Sequence, residues 1–121
     1  MTIAEKFFKA PNAIFVLGLD PYEVAVYCYL LSCAGAKGEC WPSVGTIAHT
    51  LSISENTVMK RLELLIEKRL ITKTATSHVT KSGKPRTSNN RYRILEIGRA
   101  VARHIAIERA KTEAAKPDLP L

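Results

Sequence analysis

No stretch of this sequence stays apolar for long enough to cross a bilayer. Its opening residues, MTIAEKFFKAPNAIF, lack the long apolar core and small-residue cleavage site of a secretory signal. No membrane partner is therefore expected, and the cytoplasm is the expected compartment. Cysteine is scarce: Cys28, Cys33 and Cys40 are an odd number, spaced as neither a disulfide framework nor a CxxC pair. Reduced, partly buried thiols are expected. A zinc set of Cys28, Cys33, Cys40 and His49 can be written down, but two ligands five apart on one helix suit a tetrahedral site poorly, so no metal is expected. Aromatics amount to 7% of residues, and the basic second half interleaves only Tyr92 among its cations, which argues against base stacking on single strands. Also missing are a phosphate-cradling glycine loop, a nuclease carboxylate cluster and any nucleophile paired with a base, so neither an enzyme nor a cofactor is expected.

What the sequence does have is enough apolar content, 46% over 121 residues, to bury one core without staples. Its charge is unevenly placed. Residues 1–55 carry a net −2 while the remainder carries +9, which points the second half toward a polyanion, nucleic acid first.

Helix starts can be read along the chain. In LDPYEVAVYCYLLSCAG, Asp20 is a natural N-cap, Pro21 suits the first helical position and Glu23 completes a capping box, with Gly35 as the stop. Tyr22, Val26, Tyr29, Leu30 and Cys33 are expected on its core face. A turn at Lys37-Gly38 leads to a second helix capped by Ser43, with Thr46 three residues on and Ile47 and Leu51 as its apolar pair. Trp41 is expected to pack beneath that cap as a staple. A third helix starts at Ser54. Val58, Leu62 and Leu65 face inward with Leu51 and Ile53, while Glu55, Asn56, Met59, Lys60 and Glu63 look out. Ala48 is small enough to let the second and third helices approach.

The alternation in EKRLITKTATSHVT and RYRILEI, on either side of KSGKPRTSNN, predicts a hairpin with a long loop. Between Thr72 and Arg93 all charged residues are basic: Lys73, Lys81, Lys84, Arg86, Arg91 and Arg93. Tyr92 is expected in the core and Arg93 on the solvent face. A fourth helix follows from about Gly98 to Ala115, with Ile97, Val101 and Ile105 spaced by four. KPDLPL is expected to be a frayed tail.

The expected fold is mainly α with a small β-hairpin, an α+β winged helix-turn-helix with an additional C-terminal helix. Its divisions are a DNA-binding domain over 1–95, a C-terminal packing or dimerisation helix over 96–115, and a tail over 116–121. A helix with polar first turns and an apolar face locked to a scaffold can enter the major groove. There Asn56 would pair with an adenine edge, and Lys60 and Arg61 would reach guanine or phosphate. Ser54 and Thr57 would meet phosphate, and Glu55 would accept from cytosine. Ser43 and Thr46 join this set at the start of the second helix. Lys73, Lys81, Lys84, Arg86 and Arg91 would touch phosphate or the minor groove, giving affinity that falls steeply with salt.

CWPSVGTIAHTLSISENTVMKRLELLIEKRLITK followed by TSNNRYRI resembles the bacterial winged helix-turn-helix domains of plasmid, phage and mobile-element replication initiators, DnaD-like replisome organisers and related regulators. The resemblance spans roughly residues 7–95. It implies that Ser54, Glu55, Asn56, Thr57, Lys60 and Arg61 hold recognition-helix positions, that the basic residues between Lys73 and Arg91 form the wing, and that homodimers and replication proteins are partners. Two residues depart from the pattern: Ser52 and Arg69 stand where such turns often carry glycine to permit φ > 0. The function expected is sequence-selective binding of double-stranded DNA, in replication initiation of a mobile element. The alternatives are a transcriptional regulator of the same fold, or a protein-interaction winged helix without specific DNA readout.

Overall fold

The computed structural model of the chain describes residues 6–83 and 85–115; residues 1–5, Lys84 and the tail over 116–121 lie outside the described residues. The element order is α1 (Pro21–Ala34), β1 (Glu39–Cys40), α2 (Val44–Leu51), α3 (Glu55–Glu67), β2 (Ile71–Val79), β3 (Pro85–Ile94) and α4 (Ile97–Ala115), with a 3-10 turn over Asn12–Phe15 leading in.

Each of the first three helices starts where a side-chain oxygen takes up an otherwise orphaned backbone amide. Asp20 Oδ1 accepts from the Glu23 amide at 2.7 Å while Glu23 Oε1 accepts from the Asp20 amide at 3.2 Å, a complete capping box. Ser43 accepts from the Thr46 amide at 3.0 Å and Ser54 from the Thr57 amide at 3.1 Å. Helices α2 and α3 close alike, in the six-residue loop of a Schellman motif. Ile53 donates to the Ala48 carbonyl and Leu70 to that of Leu65, each at 3.0 Å. The left-handed residue in each closing turn is not glycine: Ser52 has φ 57° and Arg69 has φ 64°.

The three strands form an antiparallel sheet in the order β1-β3-β2, with Cys40 and Lys73 opposite Tyr92 and Ile71 opposite Ile94. Thr74 pairs with Arg91 but Thr76 with Ser88, so β3 carries one extra residue there, a bulge at Asn89-Asn90. One continuous core joins the layers. Val26, Tyr27 and Leu30 of α1 meet Ile47 of α2, Val58 and Leu65 of α3, and Leu70, Ile71 and Tyr92 from the sheet side, all fully buried. Ala48 is buried between α2 and α3, and Ala100 brings α4 onto the core.

Three expectations need correction. The buried face of α1 is Glu23, Val26, Tyr27, Leu30 and Ala34, whereas Tyr22 and Cys33 are exposed. This helix is apolar nearly all round, so periodicity does not select a face, and the inward stripe begins at a carboxylate. Trp41 does not staple α2: its residue is 47% exposed, and its carbonyl accepts from Asn89 Nδ2 at 3.1 Å. The hairpin loop is short, because the Thr/Ser/Asn run counted as loop extends β3 back to Pro85. Gly83, at φ +80°, donates to the Thr80 carbonyl at the turn. The third strand, β1, is an addition, since two residues carry no period of their own. Of the thiols, Cys40 is buried, Cys28 half-buried and Cys33 exposed, and burial pushes the Cys40 thiol up to about 11. Among the described residues no helix is long and apolar enough to cross a membrane, and no group of three or more His, Cys, Asp or Glu side chains is placed to hold a metal ion.

Candidate nucleic-acid interface

Helix α3 buries Val58, Leu62 and Leu65 and exposes Glu55, Asn56, Met59, Lys60 and Glu63, as its periodicity predicts. Beside that exposed stripe lies the hairpin. Met59 and Glu63 share a pocket of about 140 Å³ with Val44, Lys73 of β2 and Asn90 of β3. Lys73 stands opposite Tyr92, on the sheet face that turns toward α3, with its own side chain exposed. The polar helix face and the base of the wing are therefore contiguous.

The hydroxyls at the helix starts act first as caps. Ser43 Oγ donates to Thr46 Oγ1 at 2.8 Å, and Ser54 and Thr57 hydroxyls meet at 2.8 Å. All four residues lie at the surface edge, and each pair leaves one O–H unspent that a further acceptor can reach. Glu55 leans back toward α2: a Cβ at Gly45 would lie 3.1 Å from its Oε1. Glycine at this position leaves room for the carboxylate, which faces the positive end of the α2 dipole.

Arg61 is not free. Its Nη2 and Nε stand 3.0 and 3.1 Å from Asp20 Oδ2, and its guanidinium lies over the Tyr22 ring, 5.1 Å from the centroid. Seven residues on, Lys68 Nζ reaches the buried Glu23 carboxylate at 2.8 and 3.1 Å and the Gly18 carbonyl at 3.3 Å. Burial pushes the Asp20 carboxyl up. The Glu23 amide and then the Arg61 guanidinium, bonded to it, outweigh this and hold it below its ordinary 3.8.

With Arg61 and Lys68 so paired, the exposed charges on α3 are Lys60 against Glu55, Glu63 and Glu67. The helix itself is not a cationic surface. Positive charge comes from the hairpin: Lys73, Lys81 and Arg93 are exposed and have no ion pair among the described residues. Arg91 is the exception, 3.8 Å from Glu39. Arg86 falls on β3, and Lys84 lies outside the described residues.

The structure thus gathers Asn56, Lys60 and Lys73 on one side, sets Ser43, Thr46, Ser54 and Thr57 at the helix starts, and turns Arg61 toward α1. Sequence reasoning left out Met59 and Asn90 as site residues. The outward position of Met59 was legible, but its proximity to Asn90 depends on strand register.

Two helices joined by a tight turn, the second with a polar exposed face, followed by a basic antiparallel hairpin, make this an α+β winged helix-turn-helix with a C-terminal helix. Residues 17–71 match a family model described as a helix-turn-helix domain. Among solved structures, a possible transcriptional regulator from Methanosarcina mazei Go1 superposes with a TM-score of 0.55 at 18% identity, over 94% of this chain and 92% of its own. The YusO protein from Bacillus subtilis (TM-score 0.47, 17% identity, 87% of this chain and 69% of its own) is also similar. So is a MarR-family transcriptional regulator from Silicibacter pomeroyi (0.44, 20%, 90% and 66%). At these identities the likeness is one of fold. No curated protein matches the sequence.

Proposed function

We propose that the chain is a sequence-selective double-stranded DNA-binding protein that regulates transcription, with α3 in the major groove and the wing on phosphate or in the minor groove. The observation that carries this reading is the contiguity of the exposed α3 face with the cationic hairpin across Met59, Glu63, Lys73 and Asn90. A helix face poor in net positive charge beside a cationic wing divides the work: the wing supplies salt-dependent affinity and the helix discriminates. Between operator and origin, the fold match described as a possible transcriptional regulator favours the operator. In this reading residues 1–95 contact DNA and residues 96–115 join two copies. The support for a dimer is an open groove of about 780 Å³ between the lead-in and α4, lined by Val16, Leu17, Val101 and Ile105, with Phe15 exposed beside it.

The test is selection from a randomised duplex pool followed by anisotropy titrations over a salt series. An enriched motif is expected, and binding without enrichment would leave an architectural or recruitment role. Asn56→Ala should relax preference at one base position at a cost of about 1–3 kcal/mol, while Lys81→Ala should weaken all duplexes alike and lower the salt slope by roughly one. Equal losses on every duplex from both variants would remove base reading by Asn56.

A further inference from the structure

We infer that the capping box of α1 is the socket that sets the orientation of the reading helix, and that Arg61 and Asp20 are positioning residues rather than DNA contacts. This rests on the DNA-binding reading above and specifies how its selectivity is maintained.

Two carboxylates begin α1, and each does two jobs. Asp20 uses Oδ1 to cap its own helix, on the Glu23 amide, and Oδ2 to hold Arg61 of α3. Glu23 uses Oε1 to return the cap to the Asp20 amide, and both its oxygens take Lys68 at the end of α3. Arg61 and Lys68 are seven residues apart, which is about two turns and about 10 Å along one side of a helix. A helix held at one point can roll and tilt about it, whereas two cations on one side, anchored to adjacent groups of a single helix start, oppose both motions.

The two anchors differ in kind. Glu23 is buried, so its pair with Lys68 is hard to break without orphaning a charge. Asp20 and Arg61 sit nearer the surface, and their hold depends on the planar fork and on the Tyr22 ring beneath it. Arg61 lies within the same turns of α3 as Asn56, Met59 and Lys60. Losing its anchor therefore rotates the exposed stripe relative to the wing, while the Lys68 end stays fixed. An arginine reaching for phosphate would show the opposite pattern, with charge sufficing and Asp20 irrelevant.

The experiment compares the parent with Arg61→Gln, Arg61→Lys, Asp20→Asn and the Asp20→Asn/Arg61→Gln double variant, well below their melting temperatures. Asparagine caps a helix about as well as aspartate, so Asp20→Asn removes the anchor and keeps the helix start. The readouts are the affinity ratio between the selected duplex and a scrambled one, and the salt slope. All three single variants should lower the ratio by about five- to tenfold, with the double variant no worse than the singles and the slope unchanged, as for two members of one interaction. A slope lowered by roughly one in Arg61→Gln and restored in Arg61→Lys would overturn the proposal and make Arg61 a phosphate contact.

A second readout needs no DNA. In amide ¹H–¹⁵N spectra of the free proteins, the signals of residues 55–60 should move together in Arg61→Gln and Asp20→Asn and stay in place in Glu113→Gln, an exposed position near the end of α4. Stationary signals would overturn the positioning role even where duplex binding holds. Shared movement in proteins that bind no duplex, the parent included, would overturn the DNA-binding reading and leave the socket standing.

Discussion

Ser52 and Arg69 do the work of glycine without being glycine. Both carry a positive φ in a Schellman turn whose backbone hydrogen bonds are all made, so their side chains bear the steric cost of the left-handed region. Replacement by glycine removes that cost and adds unfolded-chain entropy in partial offset. Arg69→Gly is expected to stabilise the fold by about 0.5–1 kcal/mol, because it also thins a cluster in which Arg69, Arg99 and Arg103 line one shallow pocket. Ser52→Gly should gain less, since Ser52 has no part in that cluster. Urea unfolding with an unchanged m-value is the measurement, and a lower midpoint in Arg69→Gly would mean that its side chain holds a contact worth more than the strain. Both positions were identifiable from the sequence as departures from glycine, but the sign of φ belongs to the structure.

At the scale of the element, the start of α1 makes the fold sensitive to acid. The carboxyl of Asp20 is held below its ordinary value, so its ionised form is favoured by folding. Its contribution is complete above about pH 3.8 and is lost as pH falls through the lower, folded value. Stability measured from pH 6 down to pH 2 should therefore fall across the lower part of that range, and Asp20→Asn should flatten the fall; a profile identical to the parent's would remove Asp20 from the acid response. Lys68→Ala is harsher, because it leaves the buried Glu23 without its cation. A loss of about 3 kcal/mol is expected, largely recovered when Glu23→Gln is added.

The same elements show what the sequence could and could not disclose. Asp20, Ser43 and Ser54 were legible as caps because a cap is satisfied within three residues, and the face of α3 was legible because its polar and apolar residues separate cleanly. The face of α1 was not, since few of its residues are polar enough to mark an outside. Nor were β1 and the bulge, which exist only through pairing with distant β3, or the partners of Arg61 and Lys68, which lie 41 and 45 residues away. Arg61 reads as a DNA contact in the sequence because no acid stands three or four residues from it on α3.

At the scale of the whole molecule, the hairpin and the groove beside α4 differ in character. Cations gather on the hairpin, while exposed Phe15, Val16 and Ile105 gather where the lead-in meets α4. If two copies meet through that apolar face, Ile105→Glu should shift sedimentation from dimer to monomer. Its effect on monomer stability should stay within about 0.5 kcal/mol, as for an exposed site. A parent that sediments as a monomer at every concentration would end that part of the reading.

The strand order also dictates when the molecule can become complete. β3 is the middle strand although it is the last of the described strands, and β1 and β2 pair with it rather than with each other. Tyr92, which it contributes, is fully buried against elements that emerge much earlier from the ribosome. The three helices matched by the family model can therefore assemble during synthesis only with their underside open, and closure waits for residue 94 to clear the exit tunnel. The apolar floor beneath α1 and α3 spends that interval exposed, so the nascent chain is at its most aggregation-prone just before its last strand arrives.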